Sequence, residues 1–217
     1  MKKSISFLGI YCFVALLLPR MATFLIPNVG DTFNNVFNTF SYLFLAVIAI
    51  LFFYKDLKEN FSSAFNHPFH LIGIALLSFV FILIAGALFA LLIKTGEITE
   101  NQQAVNSFLN SSLISSIIVV LIGPFVEELV FRHIIIGKFK KKIPLWILCI
   151  ISVLTFALIH IHTFNLSGLI EIRQYIIIGV VMTFLYIKNK SNITYPFIAH
   201  ILNNLGATLL LYFASNV

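Results

Sequence analysis

Residues 113–137 read LISSIIVVLIGPFVEELVFRHIIIG, a run long enough for a membrane helix, which needs about 17–25 mostly apolar residues. Glu127, Glu128 and Arg132 lie inside it. Ionisable groups are costly in hydrocarbon, so those within a span face a protein interior or a water-filled cavity and mark a candidate site. The surrounding composition supports a membrane reading. Of 217 residues, 60% are hydrophobic and 10% charged, against about 45–50% and 25% in an average soluble domain. A soluble domain of this size could not cover so much apolar surface. The net charge of +6 does not indicate a nucleic-acid partner, because nearly all the basic residues lie in short segments between apolar runs.

Working outward from this stretch, six further runs appear at Ile5–Ile26, Val36–Tyr54, Phe69–Ile93, Leu145–Ile161, Leu169–Ile187 and Ile193–Phe213. The expected fold is an all-α polytopic membrane protein of about seven transmembrane helices, a single membrane domain with no repeat or low-complexity tract. Pro19 and Arg20 interrupt the first run, which reads as a shorter or kinked helix. It reads as a span and not a cleaved secretory signal, because Leu16-Leu17-Leu18-Pro19-Arg20 is a poor cleavage site. Cys12 and Cys149 sit in apolar stretches and read as inert packed thiols.

With the N-terminus inside, Lys2, Lys3, Lys55, Lys58, Lys138, Lys140, Lys141, Lys142, Lys188 and Lys190 fall on the cytoplasmic side. Only Lys94 falls outside, and Arg20, Arg132 and Arg173 lie within spans. This bias predicts a cytoplasmic N-terminus. The Lys138–Lys142 cluster reads as a stop-transfer flank in preference to an anionic-lipid contact.

Glu128 precedes Arg132 by four residues, the favourable helical orientation for an ion pair. Glu127, about 100° further round the helix, is left as a free acid or base. His200 and Asn204 are also four apart and share one face, with Asn203 a weaker candidate. Phe156 stands one turn before His160 and is positioned to help orient its ring. His162 reads as a boundary residue, Glu171 and Arg173 as interfacial anchors, and His67, His70 and His133 receive no role. If the fifth helix starts at Leu145, His160 lies ~22 Å deep while Glu127 and His200 lie ~10–15 Å deep. A later start is therefore expected, with Pro144 suited to a first turn.

At these residues the chain resembles the CPBP family of intramembrane proteases, the CAAX-protease and bacteriocin-processing group also called the Abi family. Its E-E-x-x-x-R motif stands as Glu127-Glu128-Leu129-Val130-Phe131-Arg132, its F-x-x-x-H as Phe156-Ala157-Leu158-Ile159-His160, and its H-x-x-x-N as His200-Ile201-Leu202-Asn203-Asn204. All three occur in order, each in a separate apolar span. The resemblance covers residues 113–213 as a catalytic helical core and leaves residues 1–112 as N-terminal transmembrane helices without a motif. One departure is His133, where a glycine often follows the arginine.

The resemblance implies an endopeptidase in which Glu127, assisted by His160, activates a water. His200 and Asn204 would stabilise the oxyanion, while Glu128 and Arg132, with Phe156 supporting, would hold the geometry. The family is grouped with metalloproteases, and a divalent metal such as zinc would take Glu127, His160 and His200 as ligands. There is no H-E-x-x-H pair, so the sequence does not distinguish a metal-bound water from a glutamate-activated one. The implied partners are a peptide or membrane-associated protein substrate and membrane lipid, in a bacterial plasma membrane. Two other functions compete: a non-catalytic bacteriocin-immunity or regulatory protein of the same family, and a small proton-coupled transporter. Against the transporter, no inverted repeat is visible.

Overall fold

The structure, a computed structural model, describes residues 1–25, 31–92, 113–161 and 166–214. The described residues form seven helical rods and no strand. These are α1 (residues 2–25), α2 (Asp31–Phe65), α3 (Pro68–Leu92), α4 (residues 113–138), α5 (Leu145–Leu158), α6 (Leu166–Lys188) and α7 (Thr194–Ala214). Lys94, His162 and the Glu171 side chain, all considered above, lie outside what is described.

Among the described residues, α1 to α4 are long and apolar enough to cross a membrane. Their exposed surfaces carry Phe24, Phe40, Leu51, Leu77 and Phe81, an apolar coat that only lipid could solvate. The chain is an integral, polytopic, all-helical membrane protein.

Pro19 does not break α1. The hydrogen bonding widens to the i→i+5 pattern over Cys12–Leu17, and the Ala15 carbonyl that the Pro19 ring would strike lies in this widened stretch. Cys12 is exposed on the outer face and Cys149 half-buried, and both are free thiols, so the expectation of packed thiols fails for Cys12. Helix α2 continues past the expected end at Tyr54 to Phe65. It kinks at Phe53 (φ −120°, ψ 15°), which allows its polar continuation, beginning Lys55-Asp56, to turn along the end of the bundle.

Helix α4 is the axis of the fold. It touches α1, α2, α5, α6 and α7. Of its most apolar eighteen-residue stretch, 61% is buried, against 17–22% for α1 to α3. Every residue from Gly123 to Ile134 is buried, which is what a helix apolar on all sides should do. Its charged residues therefore sit in protein and not in lipid.

Helix α5 starts at Leu145 with Pro144 at its N-cap (φ −52°, ψ 135°), so the expected later start is corrected. The helix stops at Leu158, and His160 lies in the turn beyond it. At 1.5 Å per residue, α5 spans only ~21 Å. The α6–α7 connection uses two left-handed residues, Lys190 (φ 57°) and Ser191 (φ 61°). Asn60 of α2 accepts from the Ile193 amide at 2.9 Å and its carbonyl accepts from Asn192. This polar clasp fixes where α7, and with it His200, begins.

Candidate active site

The i,i+4 spacing of Glu128 and Arg132 on α4 produces the expected pair: Arg132 Nη1 donates to Glu128 Oε1 at 3.0 Å, both side chains 0% exposed. A charge this deep needs its remaining donors engaged. Arg132 Nη2 donates to the Gly179 carbonyl of α6 at 3.1 Å, and its Cζ lies 4.6 Å from the Phe156 ring centroid, a cation–π contact. Phe156 also packs edge-on against Phe131 and His200. It thus serves as the floor of the site as well as a neighbour of His160.

Glu128 has a second partner. His200 Nδ1 donates to the same Oε1 at 2.8 Å, so one carboxylate oxygen joins α4 to α7. This settles the neutral tautomer: with the proton on Nδ1, the lone pair is on Nε2. Nε2 faces the other glutamate, 3.8 Å from Glu127 Oε2. The adjacent glutamates therefore face opposite edges of one imidazole, Glu128 within hydrogen-bond distance and Glu127 beyond it.

The remaining Glu127 oxygen, Oε1, lies 4.0 Å from His160 Nε2. His160 Nδ1 donates to the Phe156 carbonyl at 2.8 Å, which places the lone pair of the neutral ring on Nε2 here too. The His160 ring lies between Phe156 (centroids 4.9 Å apart) and Tyr175 of α6, on which it stacks at 4.1 Å and 12°.

The carboxylate of Glu127 and two imidazole Nε2 atoms thus converge at separations of 3.8 and 4.0 Å. These are too long for direct hydrogen bonds and suited to one small donor molecule between them. The donor types are those zinc takes, but the spacing is wider than the edge of about 3.4 Å in a tetrahedron with bonds of 2.0–2.1 Å. Among the described residues, no cluster of His, Cys, Asp or Glu is spaced to hold a metal ion. As placed, the three residues do not fit zinc.

Asn204 lies one turn beyond His200, with Nδ2 donating to the Val119 carbonyl at 3.0 Å. That carbonyl belongs to Ile118–Ile122, where α4 widens to i→i+5 bonding. Asn203 donates to Asn204 Oδ1 at 3.3 Å. Glu128 and His200 therefore bond directly, Glu127 lies 4.0 Å from His160 and 3.8 Å from His200, Arg132 and Phe156 adjoin them, and Asn204 flanks α4.

The structure adds residues the sequence did not single out. Gly179 and Tyr175 lie in an α6 stretch with no motif to mark them. Tyr42 of α2 has its ring within van der Waals reach of the same point above Gly123 that Glu127 Oε1 approaches. His133, assigned no site role from the sequence, is buried, and its Nε2 lies 3.1 Å from Asp56 Oδ2, with Lys138 on the same oxygen. His70 Nδ1 lies 3.4 Å from the Tyr195 hydroxyl. Asp56 is 77 positions from His133, and Tyr195 is 125 from His70, so no local pattern could reveal either pair.

Two glutamates, an arginine and two histidines thus cluster within the helices of a membrane protein. Residues 109–206 match the family described as Rce1-like, type II CAAX prenyl endopeptidase Rce1-like, so this segment of the chain is similar to that CPBP-type family. It is 29% identical over 121 residues to the Bacillus subtilis (strain 168) protein named "Putative membrane peptidase YdiL", covering 56% of this chain and 47% of that one. It is also 29% identical over 127 residues to the "UPF0177 protein YbdI" of Lactococcus lactis subsp. lactis (strain IL1403), covering 54% of this chain and 68% of that one. The match thus spans about half the length of the first relative. No solved structure matches the chain.

Proposed function

We propose that this protein is an intramembrane endopeptidase that hydrolyses a peptide bond of a peptide or membrane-associated protein with a glutamate-activated water. The observation that carries the proposal is the convergence of Glu127, His160 and His200 at separations of 3.8 and 4.0 Å. A water there donates one hydrogen to Glu127 and one to His160 Nε2. Glu127 takes the proton as the water oxygen bonds to the substrate carbonyl carbon, and the carbonyl π pair moves onto its oxygen. As that tetrahedral intermediate collapses, the C–N bond breaks and Glu127 returns the proton to the leaving amine.

The developing oxyanion needs donors. His200 Nδ1 already donates to Glu128, so donation from Nε2 requires the imidazolium form. With that charge, Glu127, Glu128, Arg132 and His200 sum to zero, the state a buried cluster tolerates best. Asn204 Nδ2 carries a second hydrogen besides the one given to Val119 and is the second proposed donor. Removing one such donor typically costs 10²–10³ in kcat.

In this reading residues 113–213 are the catalytic core, residues 1–112 its membrane scaffold, and the N-terminus is cytoplasmic. The test compares membrane and secreted peptidomes of the native host expressing wild type or Glu127→Gln, which keeps the shape but cannot serve as the base. A substrate that accumulates uncut only in the variant supports the proposal. Identical peptidomes at equal protein levels favour a non-catalytic immunity or regulatory role.

A further inference from the structure

Outside the candidate site, the described structure places a cavity of about 500 Å³ where the start of α1, the kink of α2 and the last residue of α4 meet. Its lining includes Lys3, Ser4, Phe53, Lys55, Asp56 and Lys138. Three lysines thus line it against one aspartate. That carboxylate is already engaged by His133 at 3.1 Å and by Lys138, which leaves Lys3 and Lys55 to face an incoming anion.

The other wall is apolar. Leu51 and Tyr54, 66% and 58% exposed, line the cavity and also lie on the outer surface of α2. From Leu51, just before the kink, an exposed stripe continues through Val47, Phe44 and Phe40, in steps of four, three and four residues that keep one helical face. A chain lying on this stripe would run toward the membrane interior, with its head at the lysines. Lys141 and Lys142 differ: they project from the α4–α5 turn, exposed, and do not line the cavity.

We propose that this cavity binds the phosphate-bearing headgroup of an anionic phospholipid, with an acyl chain along the Phe40–Leu51 face of α2. The charge balance selects an anion, and the continuity of the pocket with a lipid-facing stripe selects a lipid over a free phosphate. Lysines at the membrane surface favour anionic headgroups in general, but here three of them border one concavity whose size falls within the roughly 300–1,000 Å³ of ligand pockets. The bound lipid would tie α1 and α2 to the end of the helix that carries Glu127. The proposal does not depend on the peptidase reading.

The test titrates the full chain, purified in detergent, with phosphatidylglycerol, phosphatidylcholine or inorganic phosphate. Retained lipid is counted by native mass spectrometry, and thermal melting is followed in parallel. Wild type should retain one phosphatidylglycerol in preference to phosphatidylcholine and melt higher with it. Lys3→Gln/Lys55→Gln should weaken this binding about tenfold, or ~1.4 kcal/mol, while Lys141→Gln/Lys142→Gln, which removes the same charge, should leave it unchanged. Equal weakening by both pairs would reveal diffuse surface attraction and overturn the proposal, as would the absence of any lipid preference. Equal, saturable stabilisation by inorganic phosphate would overturn the lipid assignment in favour of a soluble anion.

Discussion

Arg132→Ala should destabilise the protein far more than a typical substitution, by an amount the structure bounds. The side chain is 0% exposed and has three partners: Glu128 at 3.0 Å, the Gly179 carbonyl at 3.1 Å and the Phe156 ring at 4.6 Å. Removing it strands the buried Glu128 carboxylate, and breaking such a pair costs about 3–5 kcal/mol. His200 still donates to the same oxygen at 2.8 Å, so a loss of about 3 kcal/mol, the low end of that range, is expected. Arg132→Lys should recover little, because one ammonium cannot reproduce the planar fork that spans a carboxylate and a carbonyl. Adding Glu128→Gln to Arg132→Ala removes the stranded charge and keeps an acceptor for His200. The double variant should therefore be more stable than the sum of the singles, by about 1–3 kcal/mol. Melting of purified variants in one detergent, with membrane abundance measured alongside, supplies all four corners of the cycle. Unchanged melting of Arg132→Ala, or strictly additive losses in the double variant, would refute the assignment of Arg132 as the counter-charge that holds the site.

Gly179→Val should lower stability by about 1–3 kcal/mol through overpacking, because a Cβ there already lies 3.3 Å from both Phe156 Cδ1 and Val153 Cγ1; melting at the wild-type temperature would disprove the close approach of α6. Treatment with a strong chelator should leave cleavage intact, and elemental analysis should find well under one metal per chain, since the Glu127–His160–His200 spacing of 3.8–4.0 Å is wide for zinc. Activity lost on chelation and restored by stoichiometric zinc would replace the glutamate-activated water with a metal-bound one. Reporter fusions in the Lys138–Lys142 turn should be active only on the cytoplasmic side, and activity only outside would reverse the topology.

The helices were legible because hydropathy in lipid is close to a binary code. All seven apolar runs correspond to helices, and the errors lie where that code is silent. Residues Lys55–Phe65 are polar enough to read as a loop, yet they continue α2 because Asp56 and Asn60 find partners on α4 and at the α7 entry. Likewise Leu145–Ile161 is one apolar run, but the helix ends at Leu158, and the turn beyond it lets His160 bond back to the Phe156 carbonyl. The polar residues were conspicuous for the opposite reason: each is improbable in a span unless something faces it. Periodicity gave the Glu128–Arg132 pair directly. It could not give Gly179, Tyr175 or the sharing of Glu128 with His200, which depend on how separate helices pack.

That sharing explains why the two glutamates are adjacent in sequence. A rotation of about 100° and a rise of 1.5 Å separate their Cα atoms, so one carboxylate can turn toward Arg132 while its neighbour turns toward α5. Both still reach α7, and they do so at opposite nitrogens of His200, Nδ1 for Glu128 and Nε2 for Glu127. An imidazole bonded to Glu128 through Nδ1 at 2.8 Å, with Phe156 packed edge-on at 5.8 Å, has little freedom to rotate out of the site. Spacing the carboxylates by four would stack them on one face and lose the second edge, and spacing them by two would direct one of them away from α7. The Glu-Glu dipeptide is therefore a geometric requirement of positioning one histidine between a structural charge pair and a second carboxylate. It is satisfied only because α4 is buried on every side, so that two side chains pointing in different directions both end in protein.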